Sequence, residues 1–296
     1  MASVIVALPN DSRLAAELGK KGSENGITFY NRKVEGSSVV VLTPTDLESK
    51  FYALGEIISI SELVVTSTAK VDSLLGESVI ASALLGKKVI FTDDNDVSKI
   101  TSSVGRLDFS TSPRNMLLQR ILEVPGTASG GDLRIDVDKS FPVKGVGTVL
   151  LGIVRSGKVR VHDTLKSSSG KDVIVRSIQV HDDDMQEAVA GERVGLAVKG
   201  IEDKEIEKGD ALSKTQIPLL SSFRAEIRYS PLYKGGADES INCTVVSGFS
   251  VSNCKVSKSP QGFDIKLDKP AALMKGDSFL LIREKAPRVF ASGVVL

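Results

Sequence analysis

The sequence contains no tryptophan, and only 5% of its residues are aromatic. It has two cysteines, Cys243 and Cys254, and two histidines, His162 and His181. A structural zinc site needs about four Cys, His or carboxylate ligands. No Cys-x-x-Cys pair and no neighbouring histidine supplies them, so neither metal nor cofactor is expected. The two cysteines are expected to be buried free thiols. If residues 247–250 form a turn, they fall opposite each other on paired strands, close enough for a disulfide in an oxidising or hyperthermophilic cell. No apolar run approaches the roughly 18–20 residues that span a bilayer, and Met1 to Leu8 lacks the basic segment that opens a secretory signal. A cytoplasmic protein without a membrane partner is expected. The formal net charge of +1 gives no ground for a DNA-coating protein.

What is present is ordinary globular composition, 41% hydrophobic and 25% charged over 296 residues, enough for two or three domains. Residues 1–126 alternate apolar runs with helix-compatible segments. Val4 to Leu8, Val39 to Leu42, Leu63 to Thr66 and Lys88 to Phe91 are the runs. Ser12 to Leu18, Ser73 to Leu85 and Asn115 to Val124 are the helices. Continuous Val/Ile/Leu runs between helices predict a mainly parallel sheet buried on both faces. Pro125 to Gly131 is small and polar, a hinge.

Beyond the hinge no helix is predicted. Residues 127–214 carry short β-branched segments, Gly147 to Val154, Lys158 to Leu165, Asp172 to Val180 and Gly195 to Val198, and predict a barrel. The pattern restarts over 215–296 with Phe223 to Tyr229, Ile241 to Val246, Ser250 to Val256, Phe263 to Leu267, Ser278 to Arg283 and Val289 to Leu296, a second barrel. The fold class is therefore α/β plus all-β. Only the last domain is basic, at +4 from 11 Lys/Arg against 7 Asp/Glu, which makes it the first candidate for phosphate contact.

The stretch Asp138-Lys139-Ser140-Phe141-Pro142-Val143-Lys144-Gly145-Val146-Gly147-Thr148-Val149 resembles the opening of the second domain of elongation factor Tu and its relatives. The resemblance continues through Ala190-Gly191-Glu192-Arg193-Val194-Gly195-Leu196 and closes at Glu205 to Leu212, about eighty residues in all. The Asp138 to Lys144 segment is most similar to the selenocysteine-specific branch of the translational GTPases. That branch's fourth, RNA-hairpin-recognising region has no counterpart before Leu296.

The first domain departs from the family. A GTPase needs a glycine-rich loop that cradles phosphate, followed by a lysine and a magnesium-binding hydroxyl. After the first strand stands Leu8-Pro9-Asn10-Asp11-Ser12-Arg13. Pro9 removes a donor, and Asp11 repels phosphate. Gly19 to Ser23 follows the helix that a phosphate loop must precede, and Gly19 to Thr28 is expected to be a short connection. Thr43-Pro44-Thr45-Asp46 stands where the family has Asp-x-x-Gly. Thr92-Asp93-Asp94-Asn95 stands where it has Asn-Lys-x-Asp. Glu77 and Phe109 to Pro113 occupy positions of family elements, but ordinary helix capping and surface polarity account for them.

The resemblance implies a pseudo-GTPase, not an enzyme, of a truncated kind that looks characteristic of archaea. Its implied partners are tRNA, ribosomal RNA and the ribosome, or a translation protein, with no DNA and no membrane. The family's second barrel holds the aminoacyl end of tRNA, and the matching positions are Asp138, Lys139 and Arg193. The family's pocket histidine has no match near Leu150-Leu151. Two other readings stay open: a GTP-binding factor with drifted motifs, and a non-translational interaction scaffold. Without a switch loop, the first domain should be either docked in one orientation or tethered loosely.

Overall fold

The computed structural model describes residues 2–34, 36–93, 95–126, 130–235 and 240–296. Part of the expected hinge, 127–129, and Asp94 lie outside the described residues. Along the first part run β1 (Ala2–Ala7), α1 (Ser12–Leu18), β2 (Lys20–Glu24), β3 (Ile27–Val34), β4 (Ser37–Pro44), α2 (Tyr52–Ile60), β5 (Leu63–Ser67), α3 (Ser73–Leu85), β6 (Lys88–Thr92), α4 (Ser98–Ser103), β7 (Phe109–Thr111) and α5 (Leu117–Leu122). The seven strands form one sheet in the order β2-β3-β4-β1-β5-β6-β7. It is parallel from β4 to β7 and antiparallel between β2, β3 and β4.

Alternate residues of the central strands feed two cores. Val4, Val6, Val39, Val41, Leu63 and Val65 meet α1 and α5 on one face. Ile5, Val40, Leu42, Val64, Val89 and Phe91 meet α2 and α3 on the other. That pattern is why each run is apolar throughout.

The middle part comprises β8 (Arg134–Val143), β9 (Gly147–Ser156), β10 (Lys158–Arg160), β11 (Thr164–Ser167), β12 (Asp172–Val180), β13 (Asp183–Met185), β14 (Glu187–Val189), β15 (Arg193–Lys199) and β16 (Ala211–Ser213). The antiparallel order β11-β16-β8-β9-β15-β12 closes into a barrel because β11 also pairs with β12. The last part, β17 (Leu219–Tyr229), β18 (Ile241–Ser247), β19 (Ser250–Ser259), β20 (Gly262–Ala272), β21 (Ser278–Ile282) and β22 (Val289–Val295), is a second closed six-stranded barrel. Among the described residues no helix is long and apolar enough to cross a membrane.

Several expectations need correction. Gly19 to Thr28 is no mere connection but the β2 strand and the start of β3. The strand escapes detection because β2 is a sheet edge exposed along nearly its whole length. Lys158 to Leu165 is two strands, split by a turn in which His162 has φ +73°. The predicted Asn115 to Val124 helix is a 3₁₀ turn, Arg114–Met116, followed by the shorter α5. Past residue 131 the described helical structure is one 3₁₀ turn, Asp203–Glu205. Cys243 and Cys254 are register partners on β18 and β19, free and buried, with their Sγ atoms 3.5 Å apart.

Helix α2 was invisible to periodicity for a structural reason. Residues 53–60 are all buried, one side against the sheet and the other against Val246, Leu280 and Ile282 of the last barrel. A helix buried all round has no polar stripe. Gly55 makes that contact possible: a β-carbon there would lie 3.1 Å from Ile282 Cδ1 and 3.2 Å from Val246 Cγ1. Gly55→Leu should therefore destabilise the fold by about 1–3 kcal/mol through overpacking. Gly76→Ala, with nothing within 4 Å, should stabilise it by about 0.5–1 kcal/mol. Urea unfolding of the two variants checks the contrast, and equal stabilities would contradict the packing account.

Candidate functional site

Open α/β sheets bind ligands at the carboxyl ends of their parallel strands. Here those ends, on β1, β5 and β6, carry a closed polar network. Asn10 donates Nδ2 to Ser67 O at 2.7 Å and accepts from Ser67 N at 3.0 Å. Ser67 Oγ donates to Asp93 Oδ2 at 2.6 Å. Arg114, from the turn before α5, reaches over them. Its Nε donates to Asp93 Oδ1 and its Nη2 to Asp11 Oδ2, both at 2.7 Å. Asp11 uses its other oxygen to cap α1, accepting from Leu14 N at 2.9 Å. The Arg114 guanidinium, ahead of a smaller contribution from Ser67, holds the Asp93 carboxyl below its usual range although burial opposes it. Asp93 keeps a left-handed φ of +76°.

The Thr43 to Asp46 segment is also engaged. Thr45 N donates to Gly26 O at 3.1 Å in the β2–β3 hairpin, and Asp46 Oδ1 accepts from Glu48 N and Ser49 N, each at 3.1 Å.

Asp138 and Arg193 are brought together, but away from solvent. Asp138 is the extra residue of a β8 bulge between Val137 and Lys139, a device that re-aims a side chain. It is 0% exposed, Arg193 is 9% exposed, and the two pair at 2.8 Å. Arg193 also donates to Ser23 Oγ at 2.6 Å and stacks 3.3 Å above the Phe29 ring, both on the β2–β3 hairpin. The pair thus joins the first domain to the middle barrel and is not a solvent-facing patch. Lys139 stands apart, exposed, with Nζ 5.8 Å from the Phe141 ring.

Beside this pair opens a cleft of 460 Å³ between the hairpin and the barrel. Lys20, Lys21 and Lys33 line it from the first domain, and Gln179, His181 and Arg193 from the barrel. Lys33 crosses its mouth to Asp183 at 2.5 Å. Among the described residues, Asn31 Oδ1, His181 Nε2 and Arg193 Nη1 are buried there without a hydrogen-bond partner. Unpaired buried polar atoms are scarce in folded proteins. His181 and Asp182 both have positive φ, +53° and +66°, in the tight β12–β13 turn. Burial pushes the His181 imidazole below its ordinary pKa against the pull of Glu192, so it is neutral near pH 7.

Three comparisons bear on this arrangement. The family described as elongation factor Tu domain 2 matches residues 147–213. An uncharacterized protein of Methanocaldococcus jannaschii is 32% identical over 277 residues, 90% of each chain. The selenocysteine-specific elongation factor of the same organism is 36% identical over 105 residues, which is 34% of this chain and 22% of that protein. This chain belongs to the translational GTPase family. Among solved structures, the elongation factor SelB of Methanococcus maripaludis in its apo form superposes with a TM-score of 0.78 at 18% identity, over 100% of this chain and 80% of that one. The same factor bound to the GTP analogue GppNHp gives 0.79 at 17% identity, over 100% and 79%.

Sequence reasoning missed other residues that matter to this family member. Arg114 was passed over because it lies in no family motif. Glu77 is not a surface residue: it is buried, and its carboxylate accepts the N–H groups of Arg288 at 2.6 Å and Val289 at 2.8 Å in the last barrel. Glu56 of α2, 1% exposed, pairs with Lys208 of the middle barrel at 2.8 Å. Their one signal was a lone acidic residue within an apolar helix.

Burial pushes the Glu56 carboxyl up to about 7, although Lys208 draws it down. Folding therefore favours the protonated form over the unfolded chain's 4.5. This contribution is fully present below pH 4.5 and is lost as pH rises through about 7. It amounts to on the order of 3 kcal/mol between those limits. Glu56→Gln should flatten the fall in stability between pH 5 and pH 8. Parallel denaturant titrations of wild type and variant at the two pH values check it, and identical slopes would refute it.

Proposed function

We propose that this protein is a translation-factor-like binding protein that works without guanine nucleotide and holds the acceptor end of a tRNA between its first domain and middle barrel. The observation that carries the first half is Arg114. A phosphate loop offers free N–H groups at the start of the first helix. Here Asp11 takes that end of α1, and Arg114 ties it to Asp93. A triphosphate entering at this point meets two carboxylates and must displace the arginine that neutralises them.

The cleft supports the second half. Three lysines at its rim suit phosphodiester oxygens. The unpaired Asn31 Oδ1, His181 Nε2 and Arg193 Nη1 suit a small polar group inserted beyond them. Asp138 and Arg193 shape the cleft wall and its docking to the first domain. Charge reversal at Arg193 would strand Asp138 in the interior and so would report on folding, not on RNA contact.

Calorimetry with GTP and magnesium should show no binding; a micromolar dissociation constant would overturn the nucleotide-free reading. Fluorescence anisotropy with aminoacyl-tRNA is the second test. Lys20→Ala combined with Lys21→Ala should weaken binding about tenfold and reduce the salt dependence by one to two ions. The exposed variant Lys139→Ala tests the third candidate residue, with a smaller loss expected. Wild-type protein that ignores aminoacyl-tRNA at low salt would dismiss the tRNA reading.

A further inference from the structure

The three domains meet around a second, more enclosed cavity of 320 Å³. The first domain contributes Lys87, from the turn between α3 and β6. The middle barrel contributes Arg134, Arg155 and Asp136, and the last barrel contributes Asp277. Three cations of the lining thus face two carboxylates.

The carboxylates are spent unevenly. Arg134 takes both, Asp136 Oδ1 through Nε and Asp277 Oδ2 through Nη1, each at 2.7 Å. Asp277 Oδ2 also accepts from Met274 N at 3.0 Å. Arg155 is left with Asp136 Oδ2 at 3.7 Å, beyond hydrogen-bond range, and its Nη1 is buried with no acceptor among the described residues. Gly248, in the last barrel's β18–β19 turn, leaves room for that same oxygen: a β-carbon there would sit 2.6 Å from Asp136 Oδ2.

Lys87 is in a similar position. Its ammonium donates to Ser61 O at 2.6 Å and Ser59 O at 3.2 Å at the end of α2, which occupies two of its three protons. Burial, and then the charge of Arg155, bring its pKa down to about 8, with Glu62 opposing. Two half-buried cations from different domains therefore share a polar space, each with donor capacity unused.

We propose that this cavity binds a small oxyanion of the phosphate class between Lys87 and Arg155, and that the anion fastens the first domain to the barrels. Such an ion supplies acceptors to Arg155 Nη1 and to the third ammonium proton, and offsets the excess charge. Ser278 of the last barrel also lines the cavity, whose wall is drawn from all three domains. The site shares only domain walls, and no lining residue, with the cleft beside Asp138 and Arg193.

The full chain is titrated with inorganic phosphate by calorimetry at pH 8.5, with ionic strength held by chloride, in two buffers of different protonation enthalpy. Phosphate should bind and raise the melting temperature, and the heat should differ between buffers. At that pH Lys87 is partly neutral in the free protein, and an anion beside it draws a fraction of a proton from the buffer. Arg155→Gln should lose at least tenfold in affinity while still melting cooperatively in chloride. Arg155→Lys should recover part of it. Glycerol 3-phosphate distinguishes a site for free phosphate from one that also admits a phosphomonoester. No heat with wild type at 10 mM phosphate, or wild-type affinity in Arg155→Gln, overturns the proposal.

Discussion

Helix α2 and the later turns of α3, residues 77–84, have no solvent side. One flank covers the parallel sheet, and the other packs on Val246, Leu280, Ile282 and Val289 of the last barrel. Everything else about the domain arrangement follows from that double burial. Apolar side chains that must leave water on two sides bring two domains into a single core, worth far more than the polar contacts around its edge. The first domain is consequently docked, with Phe29 and Phe249 meeting edge-to-face 6.2 Å apart at the point where all three domains converge.

Polar groups at this junction decide orientation. Glu77 fastens α3 to two backbone N–H groups of β22 and the residue before it. At the other end of α3, Arg228 donates to Ala83 O at 2.9 Å and Ser292 Oγ to Leu84 O at 2.9 Å, satisfying carbonyls that the helix cannot satisfy itself. Glu56 with Lys208, and Asp138 with Arg193, do the same between the first domain and the middle barrel. Buried pairs of this kind add little net stability, because desolvation offsets the attraction. Removing one partner is severe, so each pair penalises a misplaced domain.

The barrels were legible because their chemistry is local: β-branched alternation, glycine turns and, for the middle one, a motif eighty residues long. Gly145 and Gly147 adopt φ +80° and +102° in the β8–β9 turn. Gly152 lets β8 approach, since a β-carbon there would meet Asp136 O at 2.6 Å. What could not be read was anything set by contact between domains. Helix α2 looked like neither element, β2 looked like a loop, and Glu77 looked like surface. Of the candidate site, Asp138 and Arg193 were found by motif, but the motif does not say which way a bulge turns a side chain. Arg114 needed three dimensions, because its two carboxylate partners are 21 and 103 residues away.

The Asp11–Arg114–Asp93 bridge also bears on descent. Losing Arg114 leaves two half-buried acids facing each other, and losing either acid leaves the guanidinium half-satisfied. A single change therefore unbalances the charges of the other two, whereas a change of all three together does not. Such coupling works as a ratchet. A lineage that has closed the ends of its parallel strands in this way is held there by its own internal charges, whatever selection acts on the barrels.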